Sequence, residues 1–100
     1  MKTENAIARV RFASAKAQVL SLHDGDTLGV TLVCLEPGQE HAGSGPAVCY
    51  VITGSATLSA GEAGQTVRAG GVATFEPAED HVIANRSEGR VVCLVLRTSA

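Results

Sequence analysis

Glycine, proline and Asp-Gly signals cut this chain into short apolar runs, about one every 8–12 residues, a spacing that favours strands over helices. The runs at 19–22, 27–35, 47–53, 56–59, 65–68, 72–75, 81–85 and 90–97 are rich in Val, Ile, Leu and Thr, which suit a pleated surface. Between them, His23-Asp24-Gly25-Asp26, Gly43-Ser44-Gly45-Pro46, Gly61-Glu62-Ala63-Gly64, Gly70-Gly71 and Arg86-Ser87-Glu88-Gly89 read as turns or loops. Helical periodicity is weak throughout. Over residues 13–22, Ala13, Ala17 and Leu20 fit one helical face, but Val19, Leu20 and Leu22 fit a strand equally, and both readings stay open. Roughly eight short strands predict a single all-β domain over residues 1–100, an antiparallel sandwich or barrel.

Composition narrows the partners. The chain is 45% hydrophobic, yet its only aromatics are Phe12, Tyr50 and Phe75, so the core is aliphatic. A net charge of −2, no Lys/Arg cluster and no aromatic stacking platform argue against nucleic acid as a partner. The beginning of the chain leads into no apolar stretch of signal-peptide or membrane-span length, so a cytoplasmic protein without membrane association is expected. Cys34, Cys49 and Cys93 are odd in number and each lies in an apolar run, which predicts buried free thiols rather than disulfides.

One short phrase occurs twice, forty residues apart: Glu36-Pro37-Gly38-Gln39-Glu40-His41 and Glu76-Pro77-Ala78-Glu79-Asp80-His81. Each copy follows a β-rich run, and Pro ends or edges a strand because it lacks an N–H donor and fixes φ. The His four positions later then starts, or just precedes, the next strand. Two equivalent corners would each present an imidazole, the commonest metal ligand and the side chain that titrates near neutrality. A functional site in this chain is expected at these corners.

The residues around the second corner resemble a known family. Gly71, Pro77 six later, His81 and Asn85 four beyond are similar to the second motif of the cupin superfamily. Residues 37–54 resemble its first motif, with a Pro-Gly opening, a His, a loop and a strand ending in Gly54. The resemblance implies a cupin or jelly-roll-like fold, a small antiparallel double-sheet β-barrel that often dimerises. It also implies which residues stand where the family places its metal ligands. Counting back from Gly54, the usual Glu position is Ala47, the second His position is Gly43 and the first is His41. With His81, two of the four usual ligands are present.

A transition-metal site needs about three protein donors in fixed geometry. Glu79, two before His81 in an extended segment, is the candidate third ligand, giving His41, His81 and Glu79 as a two-His-one-carboxylate set for Zn, Fe, Mn or Ni. Cys49 is a second option, since it shares the inward face of Ala47. Each has a plainer reading: Glu79 as a turn residue capping backbone groups, Cys49 as core. Asn85 falls on the face of His81 and Ile83 and reads as hydrogen-bonding support for the pocket. No Ser nucleophile elbow or phosphate-binding loop is present.

Three functions compete. The first is binding of a small molecule in the barrel pocket by His41, His81, Asn85 and Cys49, with an incomplete metal site. The second is a metal-dependent oxygenase or isomerase, and the third a non-catalytic dimeric interaction module. A homodimer is expected in any case. Residues 7–12, alternating apolar and basic, suit an edge strand for pairing, and Tyr50, with Val48 and Ile52, faces away from Ala47 and Cys49 toward a second sheet or a partner subunit.

Overall fold

A computed structural model describes residues 1–98 and holds nine strands. They are β1 (Gln18–Asp24), β2 (Leu28–Leu35), β3 (Glu40–Ser44), β4 (Ala47–Thr53), β5 (Ser55–Ala60), β6 (Ala63–Arg68), β7 (Val72–Phe75), β8 (Asp80–Ala84) and β9 (Val91–Thr98). One sheet has the order β1-β2-β9-β4-β7 and the other β3-β8-β5-β6, and every pairing is antiparallel. The expected double-sheet architecture is present, with the two sheets facing each other rather than closed into a continuous barrel. Of residues 13–22, those from 18 on form β1 and none is helical, so the strand reading holds for that part. The loop expected at 43–46 is shorter, because β3 runs through Ser44 to pair with Asp80.

Strand alternation sets the inner face. In β4, Ala47, Cys49 and Val51 are buried while Val48 and Tyr50 are exposed, the period-two pattern of a sheet wet on one side. Across the gap lie Ala56, Leu58 and Ile83, and with Val33, Leu35, Phe75, Val91, Cys93 and Val95 they form the main core. The three cysteines are free and buried. β2 departs from alternation: Leu32, Val33, Cys34 and Leu35 are all fully buried. Both of its faces are covered, so it reads as a continuous apolar run.

The cover on the outer face is the N-terminal segment, which corrects one expectation. Residues 7–12 do not form an edge strand. Ile7–Arg9 is a single 3-10 turn, begun by Asn5, whose Oδ1 accepts from the Ile7 and Ala8 N–H groups at 3.0 and 3.3 Å. Beyond it, Val10 and Phe12 pack on Leu32, Cys34 and Val92. The apolar–basic alternation therefore reports packing against a sheet face, which has the same period as ladder pairing. Arg90 lies 4.5 Å over the Phe12 ring and donates to Glu36 at 2.7 Å, fastening the segment to the first corner.

The two corners are alike in their hydrogen bonds. In the first, the Glu36 N–H donates to Gln39 Oε1 at 2.9 Å and the Gln39 N–H donates to the Glu36 carbonyl at 3.1 Å. In the second, the Glu76 N–H donates to Glu79 Oε1 at 2.7 Å and the Glu79 N–H to the Glu76 carbonyl at 3.2 Å. Pro occupies the second position of each turn and a positive φ the third, as a type II turn demands. That third residue is Gly38 at φ 88° in one copy and Ala78 at φ 66° in the other. Gly adopts this conformation freely, whereas a Cβ makes it costly. Ala78→Gly is therefore expected to stabilise the fold by about 0.5–1 kcal/mol, after the added unfolded-state entropy of Gly is subtracted. Gly38→Ala should destabilise it by about 1 kcal/mol. Urea denaturation of both variants checks the pair, and equal shifts of the same sign would contradict the turn assignment.

Candidate functional site

The two corners are not side by side. β3 and β8 are antiparallel, with Glu40 opposite Ala84 and Ser44 opposite Asp80, so the corners open at opposite ends of a five-residue ladder. The histidines nevertheless meet, because each is the second residue of a short strand. His41 pairs with Ile83 and Gly43 with His81, which makes the imidazoles diagonal neighbours on the inner face, with a backbone separation of about 7–8 Å. Both line a cavity of about 250 Å³ between β1, β2 and β9 of one sheet and β3 and β8 of the other. Its apolar floor is Val33, Ile83 and Val95, and its polar groups are Thr31, His41, Ser44, His81 and Arg97.

The mouth of this cavity is built from alternating large and small residues. Across the five-stranded sheet the inward row reads Gly29, Arg97, Ala47, Phe75, and across the other it reads Gly43, His81, Ala60. The His81 ring lies flat on Phe75, with centroids 4.0 Å apart and planes 5° from parallel, so one stack ties the two sheets together. Its Nε2 edge lies over Gly43, where a Cβ would come within 2.8 Å. Any side chain at position 43 would displace the imidazole. His81 is 3% exposed, and among the described residues its Nδ1 has no hydrogen-bond partner. The Glu79 carbonyl, which accepts from the Gly45 N–H at 3.1 Å, lies close enough to favour the protonated ring.

The other sequence candidates stand apart from the histidine pair. The Glu79 carboxylate is folded onto its own turn at the Glu76 N–H. Cys49 is fully buried in the main core, where it hydrogen-bonds Cys93; that bond and burial hold the Cys93 thiol far above its ordinary range. Asn85 is buried, but its amide is spent on the polypeptide: Nδ2 donates to the Leu35 and Gly89 carbonyls at 3.0 and 2.7 Å. Its Oδ1 accepts from the Ser87 N–H and hydroxyl at 3.0 and 2.6 Å. It staples the β8–β9 turn to the end of β2. Sequence reading missed Arg97 and Thr31, which enter the site only because β9 and β2 pair beneath it. Period two from the buried Val95 was the available signal for Arg97.

A transition metal of the kind the fold family carries does not fit these residues. Among the described residues no three His, Cys, Asp or Glu side chains gather where they could hold an ion. The positions at which the family pattern places a second His and a Glu are Gly43 and Ala47, and the first of these lies directly under the His81 ring. Two imidazoles with no third donor fall short of the usual coordination requirement.

Both imidazoles are held below the ordinary histidine range. For His81 the chief cause is lost solvation, opposed by the Glu79 carbonyl and the Asp80 and Glu79 charges. For His41 it is again burial, reinforced by the positive fields of His81 and Arg97. A folded-state pKa below the unfolded value of about 6.5 means that the unfolded chain binds more protons as the pH falls through that region. The associated stability is fully present above about pH 6.5 and is lost as the pH drops from there toward the folded-state values. Melting temperatures should therefore be level near neutrality and decline below about pH 6.5, and His81→Phe, which keeps a ring on Phe75, should reduce that decline. An unchanged pH slope in the variant would show that His81 is not the linked group.

The fold has known counterparts. A protein of Thermus thermophilus, TT1209, superposes with a TM-score of 0.92 at 20% identity, covering 98% of this chain and 97% of that one. A Klebsiella pneumoniae protein with a double-stranded β-helix domain gives 0.85 at 20% identity, with 96% and 88% covered. A cupin superfamily protein of Desulfitobacterium hafniense gives 0.82 at 15% identity, with 98% and 92% covered. At these identities the likeness speaks for the fold alone. No curated protein matches the chain. The model of the cupin domain family matches residues 31–97, from the strand that floors the cavity to the one that carries Arg97, and the chain belongs to that family.

Proposed function

We infer that this protein binds a small organic molecule in the inter-sheet cavity, without requiring a bound metal. The observation that carries this reading is the cavity itself: about 250 Å³, an apolar floor and a few convergent polar groups. That is the usual composition of a ligand pocket, in a volume just below the common range of about 300–1,000 Å³. Val19 is 45% exposed at the rim although it lies on an inward position of β1, so ligand entry runs along the open seam between β1 and β3. The free thiols support a reducing, cytoplasmic setting.

Ligand-observed and amide-detected NMR with a panel of neutral and charged fragments tests this reading. Saturable shifts confined to the residues lining the cavity are expected. Val19→Trp, a change at an exposed edge position, should plug the seam and abolish them while leaving the melting temperature nearly unchanged. Fragments that ignore the cavity in the wild type would overturn the reading.

Homodimerisation is best placed on the outer face of β4 and β7. Val48, Tyr50 and Val72 are 36%, 40% and 58% exposed there, and β7 is a free sheet edge. Ile52 lies on the same outer face, as expected, but is covered there by packing against Leu32, Cys34 and Val92. Sedimentation at micromolar concentration should give a dimer that Tyr50→Glu dissociates. A wild type that sediments only as a monomer removes the proposal.

A further inference from the structure

We propose that the cavity is a monocarboxylate site, in which the Arg97 guanidinium anchors the anion and the apolar floor takes a short hydrocarbon or ring. This rests on the reading that the cavity accepts a small molecule. Arg97 continues the face of the buried Val95 on β9 and is itself exposed at the cavity mouth, with Gly29 and Ala47 as its cross-strand neighbours. The guanidinium lies against Gly29, where an added Cβ would meet its terminal nitrogen at 3.3 Å. A larger residue at position 29 would have to push it aside. The two small neighbours thus leave room for a planar cation at the cavity mouth.

The charge of that cation is uncompensated within the cavity. Arg9 and Arg90 are each paired with a glutamate, Glu4 and Glu36. Among the described residues Arg97 has neither an ion-pair nor a hydrogen-bond partner. No Asp or Glu lines the cavity. The nearby acids, Asp24 and Asp26, line a separate cleft at the β1–β2 turn on the other side of Arg97. The remaining polar groups of the cavity, Thr31, His41, Ser44 and His81, can all donate a hydrogen bond. A guanidinium with neighbouring donors and no carboxylate in the cavity lining matches a carboxylate, which it engages through two parallel N–H···O bonds. The floor of Val33, Ile83 and Val95 offers no polar atom to a second charged group, which selects a monoanion with an apolar body. In this chain the fixed positive charge of the site comes from a side chain on β9.

Benzoate and its neutral isostere benzamide serve as probes, titrated into the full chain with amide NMR detection. Benzoate should shift the amides of residues 29–31, 41–44 and 95–97 saturably, and should bind about tenfold or more tighter than benzamide, as expected for a charge-assisted pair. Arg97→Gln should erase that preference while benzamide binding persists. Arg97→Lys, which keeps the charge but loses the fork, should retain only part of it. Equal affinity for the two probes in the wild type, or a benzoate preference that survives Arg97→Gln, overturns the carboxylate assignment and leaves the cavity as a neutral-ligand pocket. If neither probe nor any neutral fragment enters, the binding reading fails and this inference with it.

Discussion

His81 holds the mouth of the molecule together through three contacts that depend on one register. Its ring face stacks on Phe75 of the opposite sheet, its edge lies over Gly43 of the neighbouring strand, and its backbone carries β8 between β3 and β5. A one-residue slip of β3 against β8 would turn Gly43 and His41 outward and place a side chain under the imidazole. The stack would then be blocked and the cavity would lose one of its histidines. With only three aromatics in the chain, the sheets have few large side chains with which to span their separation, so this ring pair counts for more than it would in an aromatic core.

The same packing accounts for the chemistry of the site. A stacked, desolvated imidazole favours its neutral form, and the Gly beneath it stands where a second metal-binding His would otherwise be placed by the family pattern. Gly43 and Ala47 therefore have a positive structural role: they are the small halves of a large–small arrangement whose large halves are His81 and Arg97. What the site presents is a set of hydrogen-bond donors around one guanidinium, over an aliphatic floor.

The corners that carry the repeated phrase are turn devices first. Gln39 and Glu79 do the same local work, each closing its turn with a side-chain oxygen on the backbone N–H three residues earlier. They differ in one respect. Gln39 Nε2 also donates to the Ala13 carbonyl at 2.7 Å, fixing the N-terminal segment as it crosses to the outer face. A glutamate has no such donor, so the amide is required in the first copy and dispensable in the second. The N-terminal segment then buries Leu32, Cys34 and Val92 from outside, and gives a small domain a second apolar layer beyond its narrow interior.

Much of the fold is legible in the order of residues. Turn punctuation placed β4 and β7 at their observed bounds and most other strands within a residue or two, because Gly, Pro and Asp-Gly act locally on φ and on hydrogen bonding. Alternation in β4 gave the inward face of Ala47 and Cys49 for the same local reason. The Pro-containing corners marked where β3 and β8 begin. The partners of those strands lay beyond local reading. That His41 and His81 are diagonal neighbours although their corners lie at opposite ends, that the amide of Asn85 is spent on a turn, that residues 7–12 cover a face instead of extending an edge, and that Arg97 reaches the cavity all follow from long-range register. The sequence by itself determined eight of the nine strands, most of the turns and the identity of the two histidines, since these rest on interactions between near neighbours in the chain; β3 was not among the expected runs. Only the tertiary structure decided which groups share the cavity, because pairing between strands tens of residues apart sets which inward faces meet across the sheets.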